Sequence, residues 1–303
     1  MDLKIHTIQS IGLIFTKVKM ILLLGSSGYI GSEFVKQLTI NELPFITLSH
    51  EFFNKIDLRD MAKQNNIQYI INCAAFVGKP NIEACETQKT KTIQGNIILP
   101  IRVKDFCEEL GIAYCHISTG CLYNGDSEKD NGFTEEDEPN FTFEQNNCGF
   151  YTGTKALTEK IIKEYEKSYI WRIRLPFEES NNERNYISKI LKYDTLIKEK
   201  NSLSNKSEFV NACIQSLIKE LPFGIYNITN TGAISAIEVL EKIQKTIMPN
   251  KKANFLSMDQ FYKKISSMPR SNCITDNSKI RSFGIKIKEV DEAIDECLKN
   301  WVW

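Results

Sequence analysis

Met20-Ile21-Leu22-Leu23-Leu24-Gly25-Ser26-Ser27-Gly28-Tyr29-Ile30-Gly31 sets a five-residue apolar run directly against a Gly-x-x-Gly-x-x-Gly turn. The run has the length and character of a strand buried on both faces, and a helical pattern follows it to about Leu38. Glycines at such a junction permit a tight turn and let backbone N–H groups approach a pyrophosphate at the helix N-terminus. The same triplet also makes a tight turn with no ligand. Its place on the first strand of an alternating chain is what points to a nucleotide.

Outward from this turn the alternation continues. Pro44–Leu48, Tyr69–Asn72, Ala113–Ile117, Tyr169–Arg174 and Gly224–Ile228 read as further strands, with a helix over about Thr90–Leu110. Continuous apolar strands separated by helices predict an α/β fold with a parallel sheet covered on both faces. After about Pro176 the pattern is mainly helical, which predicts a smaller second lobe. The expected organisation is a sheet domain over 20–175 with a returning segment near 206–246. The lobe then takes 176–205 and 247–303. Residues 1–19 read as a dispensable extension; a first strand or a partner-binding segment is the other reading.

Composition excludes several functions. Among 303 residues, 38 Lys and Arg balance 38 Asp and Glu, so no net charge draws the chain to nucleic acid or an anionic membrane. Nine cysteines with no Cys-x-x-Cys pair fit reduced thiols in a cytoplasmic protein rather than disulfides or a zinc site. Three histidines leave little for a metal centre, and none is expected. No apolar run approaches the ~18 residues of a membrane span.

At the end of the second strand, Leu48-Ser49-His50 offers no acid at the tip to accept the ribose hydroxyls of NAD, and Glu51 follows one residue later. That favours NADPH over NADH, with Lys55 close in sequence. Asp57 and Leu58 read as the adenine cradle. Tyr151-Thr152-Gly153-Thr154-Lys155 places a tyrosine and a lysine at i and i+4 on one helix face. Such a pair arises by chance in a chain rich in both residues, so its context decides. Thirty residues upstream a strand ends in Ser118-Thr119-Gly120, at the edge where these sheets bind ligands. The lysine charge favours the phenolate, and the Thr119 hydroxyl can hold a substrate oxygen.

Together these residues resemble the extended short-chain dehydrogenase/reductase superfamily. Ile71-Asn72-Cys73-Ala74-Ala75, Gly78–Glu86, Ser118–Tyr123, Gly132–Phe141, Arg184–Lys189 and Pro269–Asn272 narrow the resemblance to the dTDP-4-dehydrorhamnose reductase branch. They are closest to the plant nucleotide-rhamnose synthases that combine 3,5-epimerase and 4-reductase activities. The resemblance covers residues 20–300. It implies a Rossmann-like doubly wound parallel sheet with a C-terminal substrate-binding lobe, and Thr119, Tyr151 and Lys155 as catalytic residues. It implies that Gly25, Ser27, Gly28, Tyr29, Ile30, Gly31, Ala74 and Asn96 join Asp57, Leu58, Tyr151 and Lys155 in binding NADPH or NADH. Cys121 and Lys189 match positions implicated in epimerisation; a buried structural thiol and a solvated lysine are the plainer accounts. Lys79, Asn185 and Arg270 are expected to contact a nucleotide-diphosphate sugar, and a homodimer is a family-level expectation. The 4,6-dehydratases of the superfamily carry Thr-Asp-Glu where this chain has Thr119-Gly120-Cys121, which disfavours dehydration. The competing readings are an epimerase that keeps its NAD and a non-catalytic regulatory subunit; intact Thr119, Tyr151 and Lys155 argue against the latter.

Overall fold

The computed structural model describes residues 4–6, 19–49, 58–127, 131–266 and 268–303. A short strand β1 (Lys4–His6) precedes β2 (Met20–Leu24), in which Ile21 through Leu24 are buried. Aliphatic side chains on both faces explain this: a strand covered on two sides has no polar face to present. β3 (Phe45–Leu48), β4 (Ile67–Asn72), β5 (Ala113–Thr119), β6 (Ser168–Ile173) and a last strand, Gly224–Asn227, complete the sheet. Its order is β1-β3-β2-β4-β5-β6 and then Gly224–Asn227. β2 pairs parallel with β3 and β4, and β4 parallel with β5.

The strand order reverses at β2. Helix α1 (Gly31–Ile40) leads the chain out to β3 on one side, and the chain then returns to β4 on the other. In open parallel sheets a ligand binds outside the carboxyl ends of the strands at such a reversal. Here those ends carry Gly25 and Cys73-Ala74.

β1 pairs antiparallel with β3, from Lys4 opposite Thr47 to His6 opposite Phe45. Residues 4–6 therefore form a strand where a bare extension was expected. The outer edge of β3 offers unpaired N–H and C=O groups that a further strand can satisfy.

The chain divides into two compact units. The first comprises Met1–Ser118, Leu157–Trp171 and Cys213–Ile225, and the second Thr119–Ala156, Arg172–Ala212 and Tyr226–Trp303. Leu22, Leu24, Ile46, Ile70, Val103 and Ile170 belong to the core of the first. Phe177, Ile187, Val239, Leu240, Ile243 and Ile294 belong to the core of the second. Residues 119–156, expected with the sheet domain, pack with the C-terminal segments instead. Phe133 bridges to Thr275, Gly125 N–H donates to Asn272 O, and Phe133 N–H donates to Ile274 O. Among the described residues no helix is long and apolar enough to cross a membrane.

Candidate active site

In the first unit the glycine turn is shaped by backbone packing. A Cβ on Gly25, whose φ is +76°, would lie 2.6 Å from Ala74 N, and one on Gly31 would lie 2.0 Å from Gly25 O. These two glycines are required by the fold whatever binds. Gly28 differs: it is exposed, and among the described residues beyond its chain neighbours its Cβ position meets Gly25 O alone, at 3.2 Å. Close approach of a ligand to the backbone gives a reason for glycine there, which fits the turn to a dinucleotide. No side chain caps the first turn of α1 at Ile30, and Ser27 beside it is exposed. Leu58 is buried at the start of the Arg59–Gln64 helix. His50, Glu51 and Lys55, which bear on the choice between NADPH and NADH, and Asp57 of the expected adenine cradle lie outside the described residues.

Buried amides hold the segment that faces Gly25. Asn72 Oδ1 accepts from Ala74 N–H at 3.0 Å, and its Nδ2 donates to Tyr114 Oη at 3.1 Å. Tyr114 Oη lies 3.1 Å from His116 Nδ1. Asn96, expected at the cofactor, sits fully buried inside a π-helical turn, Gln94–Ile98, which interrupts the helix read over 90–110. Its side chain accepts from Phe76 N–H at 2.7 Å and donates to Phe76 O at 2.9 Å. Its carbonyl accepts from Thr158 Oγ1 at 2.5 Å. Both ends of the amide are thus engaged by Phe76, and Asn96 acts by placing the 73–76 segment. Lys79 is exposed on the loop beyond it.

The second unit begins at Thr119, the last residue of β5. Its Oγ1 accepts from Cys121 N–H at 3.1 Å and caps the 3₁₀ turn Gly120–Leu122. That bond uses a lone pair and leaves the O–H to donate. Cys121 is half-buried, and Arg174 Nη1 donates to its Sγ at 3.3 Å. Lys189, on the helix Tyr186–Lys192, is held below the ordinary lysine value by burial first and then by the charges of Arg184 and Arg270; Cys121 and Glu183 oppose the shift. Lys189 thus lies within reach of the charges of Arg270 and Cys121. Arg270 is half-buried, its guanidinium 5.9 Å from the centre of the Phe261 ring.

Asn185, expected at the substrate, is fully buried and does something else. Its Oδ1 caps the Tyr186–Lys192 helix by accepting from Ile187 N–H at 3.0 Å. Its Nδ2 donates to Glu178 O at 2.8 Å and Ser180 O at 2.7 Å. With both ends so engaged, the expected substrate contact gives way to a helix cap that places Lys189 one turn on.

The helix Phe150–Ile162 carries Tyr151 and Lys155 on the second unit, then Thr158 and Glu159 on the first. Lys155 is 2% exposed, so a solvated surface lysine is ruled out. A Cβ on Gly153, between the two, would lie 2.2 Å from the Phe143 ring, so only glycine lets Phe143 rest against this turn. Ser118 Oγ, one residue before Thr119, donates to buried Glu159. Sequence reasoning missed Arg174, Asn72 and Glu159. For Arg174 a signal existed: Arg172 and Arg174 alternate on an otherwise apolar strand, and a buried guanidinium must be hydrogen-bonded.

A doubly wound parallel sheet with its glycine turn at the strand reversal places the molecule among the Rossmann-like α/β proteins. The RmlD substrate binding domain family model matches residues 19–302, and the chain belongs to that family, as the motifs around Asn72 and Thr119 implied. A bifunctional dTDP-4-dehydrorhamnose 3,5-epimerase/dTDP-4-dehydrorhamnose reductase of Arabidopsis thaliana is 30% identical over 278 residues, 90% of each chain. A trifunctional UDP-glucose 4,6-dehydratase/UDP-4-keto-6-deoxy-D-glucose 3,5-epimerase/UDP-4-keto-L-rhamnose reductase from the same plant is 34% identical over 232 residues. That alignment takes in 75% of this chain and spans only 34% of the longer protein. Among solved structures, the UDP-rhamnose synthase of Acanthamoeba polyphaga mimivirus shares the fold with a TM-score of 0.83 at 23% identity, covering 93% of this chain and 99% of the other. The dTDP-4-dehydrorhamnose reductase of Bacillus anthracis, solved with NADP, gives 0.71 at 18% identity, covering 93% and 98%.

Proposed function

We propose that the chain is an NAD(P)H-dependent reductase of a nucleotide-linked 4-keto-6-deoxyhexose that also epimerises carbons 3 and 5 before reduction. The observation that carries this reading is the 30% identity, across nine-tenths of both chains, to the bifunctional Arabidopsis enzyme. When bound, the reduced nicotinamide supplies hydride to carbon 4. Tyr151 then gives its phenolic proton to the carbon-4 oxygen, and Lys155, one helical turn on, favours the phenolate that remains. Thr119, whose one hydrogen bond leaves its O–H free to donate, holds the same oxygen.

The 4-keto group acidifies the hydrogens on carbons 3 and 5. Cys121 and Lys189 exchange those protons; a lysine held below its ordinary value is the better for it, since only the neutral amine accepts a proton. Arg270 and Lys79 meet the diphosphate. The enzyme acts in the cytoplasm as a homodimer and binds neither nucleic acid nor membrane.

The test is reduction of a 4-keto-6-deoxyglucose nucleotide with NADPH in deuterated water, read by mass spectrometry and proton NMR. Deuterium at carbons 3 and 5 with the rhamnose configuration is expected. Reduction with no deuterium at either carbon leaves a simple 4-reductase, and no net NADPH consumption leaves an epimerase that keeps its cofactor.

A further inference from the structure

Arg174 is 1% exposed, directly after β6. Its Nη1 donates to Cys121 Sγ at 3.3 Å and to Ser271 Oγ at 3.0 Å. Its Nη2 donates to Ser271 O at 3.1 Å and to Asn201 Oδ1. Its Nε is buried without a partner. No carboxylate stands among these contacts. A buried guanidinium surrounded only by neutral acceptors leaves a positive charge uncompensated, which is costly unless an anion forms beside it. Of the four acceptors, the Cys121 sulfur is the one that can give up a proton and carry the negative charge itself.

We infer that Arg174 is the positioning residue of Cys121: it fixes the sulfur and opposes the negative charge that sulfur carries during proton exchange. When the thiol protonates the enolate carbon, the S–H bond breaks and the enolate electron pair forms the new C–H bond. The S–H pair stays on sulfur as a thiolate facing Arg174. The reverse step returns the proton. Lys189 and Cys273 also lie near Cys121, and Tyr186 and Cys273 near Arg174. None supplies a resident carboxylate. The inference rests on the bifunctional reading for its catalytic consequence, but the pairing itself is measurable without turnover.

Three variants of the full chain test it. Arg174→Met removes the cation, Arg174→Lys restores one, and Asn201→Asp keeps the oxygen that accepts from Nη2 while placing a competing carboxylate on the guanidinium. The first readout is alkylation of Cys121 by iodoacetamide at pH 7.5, followed on its peptide by mass spectrometry. Because the thiolate is the reacting form, the rate should fall at least ten-fold in Arg174→Met and in Asn201→Asp, and recover several-fold in Arg174→Lys. The second readout is the ratio of deuterium exchange at carbons 3 and 5 to reduction of a pre-epimerised substrate, which should fall at least thirty-fold in the same two variants. Alkylation unchanged in Asn201→Asp, which is nearly isosteric, overturns the inference even where Arg174→Met fails to fold. So does a loss of reduction in step with exchange, since that marks a merely structural arginine. Wild-type protein that reduces without exchange defeats the bifunctional reading alone, and the alkylation ratio then still decides the Arg174–Cys121 pair.

Discussion

Tyr151, Gly28 and Cys121 each make a claim that one substitution can break. Tyr151→Phe removes a proton donor and nothing else of comparable size. Reduction should fall about 10²–10⁴-fold while NADPH affinity, measured by fluorescence titration, stays near the wild-type value. Gly28→Val puts a side chain at an exposed position 3.2 Å from Gly25 O, so it should weaken NADPH binding at least ten-fold while lowering the melting temperature less than a change at Gly25 or Gly31. The same substitution at Gly25 or Gly31 would drive a Cβ into backbone atoms and unfold the turn. Equal effects at 28 and 25, by titration and thermal melts, would mean that Gly28 serves packing alone. Cys121→Ala should suppress deuterium at carbons 3 and 5 far more than reduction, because hydride delivery does not pass through the sulfur.

At the scale of the element, the helix Tyr186–Lys192 carries Lys189 and depends on Asn185. Asn185→Ala removes the cap and leaves the Glu178 and Ser180 carbonyls without their buried donor. A loss of about 2 kcal/mol in urea unfolding is expected, the upper end for a cap. Exchange should suffer more than reduction, since Lys189 loses its place. Lys189 also makes a pH statement. Burial holds its folded value below 10.5, so between the two values the unfolded chain binds the extra proton and stability rises with pH. The penalty is full below the folded value and vanishes above the unfolded one. Lys189→Met should therefore lose proton exchange yet melt no lower than wild type at pH 7, and its advantage should shrink as pH rises toward 10.5.

For the whole molecule, two compact units have separate cores, and seven paired strands recur along the chain from residue 4 to residue 227. Removing residues 1–18 deletes β1 and spares Lys19, whose Nζ lies 3.0 Å from Glu220. The shortened chain should melt within about 2 °C of the full one, equivalent to roughly 1 kcal/mol for a protein of this size. A larger drop, by calorimetry, would make β1 an integral strand of the sheet.

Strand, turn and helix around residues 20–40 were legible in the sequence because their signals are local. Aliphatic runs report burial on both faces, glycine spacing reports a turn, and the i, i+4 interval between Tyr151 and Lys155 is fixed by helix geometry alone. The motif at Thr119-Gly120-Cys121 was legible for the same reason. What the sequence could not carry is which long-range partner each polar side chain meets. Asn185 and Asn96 looked like ligand contacts, yet tertiary packing engages both amides with backbone up to 20 residues away. The π turn that holds Asn96 has no periodicity of its own to betray it. Arg174 reads as one more strand residue until folding brings Cys121, Asn201 and Ser271, from 27 to 97 residues away, around a single guanidinium. Local periodicity determines the elements; the partners of buried charge and amide are decided only when distant segments close around them, because each such group must find its hydrogen bonds wherever the fold supplies them.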